Sequence, residues 1–188
     1  MGRWEPGASG RLRAAALELY VERGFEQTTV ADIAARAGLT ARTFFRYFAD
    51  KREVLFSGSA ELQALMVAAL DDAPPSAPPI EVIATALDAS ANMLGGNRDY
   101  SAQRRAVITA NTELRERELI KLASLSAALA AGLRERGVGE PDASLAAEAG
   151  VAVFRVAFDR WASEPTDRGL DVVMRESLEQ MRAVTAVR

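Results

Sequence analysis

The chain contains no cysteine and no histidine. That excludes disulfides, thiolate nucleophiles, imidazole bases and every zinc site built from those ligands. A carboxylate-only metal site or a two-carboxylate hydrolase needs acidic residues gathered in one pocket, and here they are spread along the chain. The expectation is a protein that binds and does not catalyse, with no metal and no cofactor. Long apolar runs are also lacking. None reaches the roughly 18 residues of a membrane span, and Arg3, Glu5 and Pro6 stand where a signal peptide would carry its apolar core, so a cytoplasmic location without membrane contact is expected.

What is present suits a soluble helical protein. The 188 residues are 49% hydrophobic and 26% charged, close to globular averages. The net charge of −3 conceals an asymmetry. Residues 1–52 hold nine basic and six acidic side chains, while the remainder holds 14 basic and 20 acidic. A basic head on an acidic body is expected when one end meets phosphate.

Nearly every segment reads with helical period and none with sustained strand alternation, so the fold class is all-α with about nine helices. Ser9 is expected to cap the first helix and Gly24 to end it. Thr29 and Asp32 form an approximate capping box for the second, which Gly38 closes, and Thr40 caps the third. Asp50 is expected to cap a long fourth helix through Leu55, Leu62 and Leu70. Four of the seven prolines crowd into residues 74–79 and break the chain there. Pro79 opens a fifth helix that ends at Gly95-Gly96. A sixth follows near Tyr100–Ala110 and a seventh over Glu113–Arg136. Asp142 is expected to cap an eighth helix reaching Trp161, with a ninth after Pro165. The expected division is a small N-terminal domain over 1–52 and a larger helical domain over 53–188.

Residues 28–51, TTVADIAARAGLTARTFFRYFADK, place two capped helices about a glycine turn, the arrangement of a helix-turn-helix. Ile33, Ala34, Ala37, Leu39, Phe44 and Phe48 fall between the helices. Thr40, Arg42, Thr43, Phe45, Arg46 and Tyr47 are left to face outward, a mixture suited to a helix in the DNA major groove.

Ala37-Gly38-Leu39-Thr40, Thr43-Phe44-Phe45-Arg46-Tyr47-Phe48 and Lys51, following Gly24-Phe25 and Thr28-Thr29-Val30, resemble the DNA-binding segment of the tetracycline-repressor (TetR/AcrR) family. The resemblance implies that Arg42, Thr43 and Arg46 approach base edges while Thr40, Tyr47 and Lys51 hold phosphates. Thr29 and the amides opening the second helix are expected to bind a further phosphate. The family's usual tyrosine is Phe45 here, whose ring lacks the hydroxyl but can touch a thymine methyl.

The resemblance also implies a homodimer in which the last two helices of each copy pair as a four-helix bundle. The eighth helix is apolar over most of its circumference, which independently asks for a second covering surface. Gly150, Val151, Phe154 and Phe158, with Val173, Ser177 and Met181, are the expected interface. An internal pocket for a small apolar or amphipathic effector is expected from Leu62, Met66, Leu87 and Met93, from Ile108, Leu122, Phe154, Phe158 and Trp161, and from the polar Arg105 and Asn111. Phe154 and Phe158 cannot serve both surfaces fully. Residues 111–117 and the helix after them resemble an actinobacterial branch that includes the mycofactocin regulator's C-terminal domain, some of whose relatives respond to acyl-coenzyme A. The expected partners are thus near-palindromic operator DNA, a second copy and an effector that releases a repressor. The competing reading is an effector-binding or protein-interaction module that no longer reads DNA.

Overall fold

A computed structural model describes residues 7–164 and 167–186. Arg3 and Pro165 therefore lie outside the described residues. Among the described residues the α-helices are α1 (Ala8–Arg23), α2 (Val30–Arg36), α3 (Ala41–Tyr47), α4 (Ser59–Ala68), α5 (Pro79–Leu94), α6 (Arg98–Ala110), α7 (Thr112–Glu135), α8 (Asp142–Ser163) and α9 (Leu170–Thr185). Over the described residues the protein is all-α with nine α-helices, as the periodicity predicts.

Several ends differ from expectation. α1 starts after Gly7 with no side-chain cap, and Ser9 lies inside its first turn. Asp50 does not cap α4; its carboxylate accepts from the amides of Arg52 at 2.7 Å and Glu53 at 3.0 Å. These bonds close the turn that leads into a 3-10 turn over Glu53–Phe56, whose own cap position is Arg52, and α4 begins only beyond Gly58. α8 follows Pro141, with Asp142 as its first residue and Glu140 accepting from the Ser144 amide at 3.3 Å. The stretch Glu53–Asp72 is long and apolar enough to cross a membrane by composition alone. It is broken at Gly58, and its Val54, Leu55, Phe56, Met66 and Leu70 are buried in protein.

The chain forms two compact units. The first comprises residues 1–58 together with 103–118, so it takes in the 3-10 turn and a later stretch that a boundary at 52 leaves out. Its core is built on Leu12, Ala16, Leu19 and Tyr20 of α1, Phe25, Ile33, Ala34, Phe44 and Phe48, with Val54, Leu55 and Phe56 also buried. The later stretch is held to the 3-10 turn by charge. Arg104 Nε donates to the Leu55 carbonyl at 2.7 Å and its guanidinium lies over the Phe56 ring, while Arg117 pairs with Glu53.

The second unit comprises residues 59–102 and 119–188. α5 packs against α4, α8 and α9, and α8 against α9. Their shared core includes Met66, Leu70, Ile83, Leu87, Phe154, Trp161 and Met174. Contact is close at Gly150, where a Cβ would stand 2.4 Å from Ile83 Cγ2. A glycine lets α8 lie directly on α5 there, and any side chain would have to push Ile83 aside.

Candidate nucleic-acid interface

α2 and α3 are joined by residues 37–40. Gly38 takes φ +66°, a conformation that side chains with a Cβ seldom adopt. The Gly38 amide then donates to the Ala35 carbonyl at 3.0 Å and the Leu39 amide to Ala34 at 2.8 Å, closing α2 with the reversed pair of bonds of a Schellman turn. Thr40 immediately caps the next helix, its Oγ1 accepting from the Thr43 amide at 3.2 Å. Phe44 and Phe48 turn inward, 0% and 5% exposed, with their rings 5.4 Å apart. Inward phenylalanines fix which arc of α3 faces out.

That outward arc carries Arg42, Phe45, Arg46 and Tyr47, all exposed, with Thr43 at its edge. Phe45 is 58% exposed and stands edge-on to the buried Phe44, which orients its ring without covering it. Arg46 donates to the Tyr47 hydroxyl at 3.2 Å and lies over that ring, so the two side chains form one plate. No acidic residue occupies the first turn of α3, and among the described residues neither Arg42 nor Arg46 has a carboxylate within 4.0 Å. Uncompensated cations and oriented aromatic rings on one short helix are suited to a polyanion with readable base edges.

Two expected phosphate ligands already have partners within the chain. Thr29 completes its capping box with Asp32: its amide donates to Oδ2 at 3.0 Å, its hydroxyl to the same oxygen at 2.6 Å, and it accepts from the Asp32 amide. Those side-chain and backbone hydrogen bonds from Thr29, helped by Arg23, hold the Asp32 carboxyl below its ordinary range. The capping box thus satisfies the Thr29 and Asp32 amides and sets a negative group at the start of α2. Lys51 points inward. Its ammonium donates to the carbonyls of Phe25 at 2.9 Å, Thr28 at 3.2 Å and Glu26 at 3.4 Å, and sits 4.3 Å from the Phe25 ring centroid. Three donors meet three carbonyls in the turn between α1 and α2. Tyr20 donates its hydroxyl to the Lys51 carbonyl at 2.6 Å, and burial, with the nearby Asp50 charge, pushes that phenol upward.

The residues expected at the dimer seam lie mostly inside the chain's own core. Gly150 abuts Ile83, and Val151, Phe154, Val173 and Ser177 are between 3% and 8% exposed. Phe158 and Met181 are half-buried against the same core, with Phe158 stacked on Phe154 at 6.1 Å. Apolar periodicity marks α8 as two-faced, and in the single chain the arc expected at the seam faces the chain's own core. The outer arc is Leu145, Ala149, Ala152 and Val156, spaced 4, 3 and 4 residues apart, with Leu145 64% and Val156 48% exposed. That spacing was available as a signal in the sequence.

The residues expected at the pocket separate as well. Met66, Leu87, Phe154 and Trp161 are core, Leu62, Leu122 and Phe158 pack on it half-buried, and Met93 is exposed. Ile108 is buried, while Asn111 uses its amide on the Val107 carbonyl at 2.6 Å and Arg105 is half-buried; these three belong to the first unit. An open groove along α7 and α8 holds a cavity of about 240 Å³ lined by Leu119, Leu122, Ala123, Glu148, Val151, Ala152 and Arg155. Among the described residues no group of three or more acidic side chains gathers to hold a metal ion.

Comparison with known proteins converges on one family. Residues 12–57 match the family described as bacterial regulatory proteins, tetR family. The chain is 38% identical over 84 residues to the HTH-type transcriptional regulator TcmR of Streptomyces glaucescens; the match covers 45% of this chain and 36% of that protein, so it spans about a third of its curated relative's length. The structure of Thermus thermophilus FadR, a TetR-family transcriptional repressor in complex with lauroyl-CoA, is similar with a TM-score of 0.58 and 26% identity over 96% of each chain. Bacillus subtilis FadR in complex with stearoyl-CoA shares the fold, with a TM-score of 0.60 and 22% identity over 95% of this chain and 99% of that one. The likeness of residues 111–117 to the mycofactocin-regulator branch gains no support from these relatives. The matched residues contain the whole capped pair α2 and α3, so residues 12–57 carry a helix-turn-helix segment of the tetR regulator type.

Proposed function

We propose that the protein is a cytoplasmic repressor that grips near-palindromic operator DNA as a homodimer and is released by a small amphipathic effector. The observation that carries the DNA reading is the outward arc of α3, where Arg42, Phe45, Arg46 and Tyr47 are exposed and, among the described residues, no carboxylate neutralises the two arginines. Arg42, Thr43 and Arg46 read base edges, Phe45 meets a thymine methyl, and Thr40 and Tyr47 steady the backbone. The second copy docks on the α8 arc of Leu145, Ala149, Ala152 and Val156, whose small residues let another helix approach closely. Two copies then address half-sites about 34–36 Å apart, and an effector acts by favouring a different spacing.

For the effector, the acyl-coenzyme A bound by the Thermus FadR supports an acyl chain with an anionic head. In the second unit, the half-buried Leu62, Leu122 and Phe158 are the side chains able to yield to such a chain.

Selection from a random duplex pool tests the reading. The enriched site should be near-palindromic, and Arg46→Ala should weaken it by about fivefold to 150-fold per half-site, the value of one good base contact. Enrichment of no sequence, or unchanged selectivity in Arg46→Ala, would leave the interaction-module reading in place.

A further inference from the structure

We infer that Glu148 and Arg155 select the second copy, each pairing with the other across a twofold axis that sets the two α8 helices antiparallel. The inference rests on the proposed docking of a second copy at α8 and names its register and its choice of partner. Glu148 and Arg155 lie on the side of α8 that faces α7, where they line one groove with Leu119, Leu122 and Ala123. Both are exposed. The Ser126 hydroxyl donates to the Glu148 carboxylate at 2.7 Å and holds it on that side. Among the described residues Glu148 has no basic partner and Arg155 no acidic one, whereas Arg134, Arg160 and Arg182 of the same unit are paired. Two helical turns, about 10 Å, separate the two charges, beyond the pairing that residues three or four apart make on one helix.

The apolar row beside them is palindromic. Leu145, Ala149, Ala152 and Val156 are spaced 4, 3 and 4 residues apart in either direction, with a midpoint between Gly150 and Val151. The midpoint of Glu148 and Arg155 falls between Val151 and Ala152. A twofold axis crossing α8 at the level of Val151 therefore serves both sets. It brings Leu145 opposite the second copy's Val156, Ala149 opposite its Ala152 and Glu148 opposite its Arg155, each within about 1.5 Å along the helix, the rise of one residue. Such an axis also keeps the α7 side of one copy against the α7 side of the other, so the opposite charges meet twice per dimer. Parallel helices would set the α7 side of one copy against the side of the other that meets α9 at Gln180, and leave both charges unpaired. A row of small apolar residues accepts many helices, and complementary charges at its edge decide which one.

The test reverses the charges in the full-length protein. Glu148→Arg alone and Arg155→Glu alone each place two like-charge contacts in a homodimer, and each should raise the dimer dissociation constant by about tenfold or more in low salt. The double variant restores both pairs and should dimerise like wild type. An equimolar mixture of the two single variants should form heterodimers in preference to either homodimer, read as masses by native mass spectrometry, and that outcome also shows that both single variants fold. In about 1 M salt, where screening acts beyond about 3 Å, the differences should shrink. The inference is overturned if the single reversals leave dimer affinity unchanged, or if they weaken it and neither the double variant nor the mixture recovers it. The Ala152→Glu, Val156→Glu protein separates this from the reading it rests on. If that protein stays dimeric, docking at α8 fails and the pairing with it; if it is monomeric while the reversals do nothing, the pairing alone fails.

Discussion

The outer faces of α3 and α8 are both exposed and both partly apolar, yet they are built for different neighbours. α3 offers two arginines with no carboxylate partner among the described residues and two rings within seven residues, with its polar groups pointing outward from a phenylalanine floor. α8 offers Leu145, Ala149, Ala152 and Val156 in a row, with charges at its margins. Elsewhere in the second unit most arginines are paired, Arg134 with Glu140, Arg160 with Glu164 and Arg182 with Glu81. The lesson is that exposure alone identifies no partner. A cation left without a carboxylate on a rigid helix suits a polyanion, whereas a row of small apolar residues suits another helix.

The contrast is most severely tested by removing the apolar character of α8. Ala152→Glu combined with Val156→Glu should convert a dimer to a monomer by light scattering and lower operator affinity by about a hundredfold or more through lost bivalency. A dimer that persists would show that the second copy sits elsewhere. A smaller effect separates the inner from the outer arc. Gly150→Ala drives a methyl towards Ile83 and should cost about 1–3 kcal/mol in thermal or denaturant unfolding while the folded protein stays dimeric.

On α3, Phe45→Ala should lose about fourfold per half-site, the worth of one buried methyl contact at roughly 0.8 kcal/mol. Replacing the contacted thymine by deoxyuridine should reproduce that loss in wild type and add nothing in the variant. Binding equilibria with the four combinations decide whether the ring reads the methyl. The least effect is expected from pH. Asp50 is held below its ordinary value of 3.8: burial opposes this, but the Arg52 side chain and the amides of Glu53 and Arg52 outweigh it. Asp32 is lowered by Thr29. A depressed carboxylate contributes stability fully above its unfolded value and loses it as pH falls through the folded one. With no histidine, thermal melts should be nearly flat from about pH 7 to 5 and decline below about pH 4.

Much of this architecture can be read from residue order. Thr29 with Asp32, Gly38, and Thr40 before Phe44 announce two helix starts and the turn between them, because capping and positive φ are local demands with few solutions. Phe44 and Phe48, one turn apart, disclose the inward face of α3. The rest depends on partners distant in sequence. A lysine looks the same in a sequence whether it meets water, phosphate or three carbonyls, and only the folded corner at residues 25–28 shows the three carbonyls around Lys51 in the single chain. Likewise, the apolar circumference of α8 says that two surfaces cover it, while Ile83 decides which arc is the inner one.

The two stretches that make up the first unit bear on how such a protein can be recombined. A DNA-reading head exchanged between relatives by a cut at Gly58 would leave behind Arg104 and Arg117, the partners of Leu55 and Glu53. The transferred piece would carry a 3-10 turn shaped for side chains it no longer has. A chimera that moves residues 103–118 along with the head keeps those contacts, so the heritable module here is discontinuous in the gene although it is compact in space.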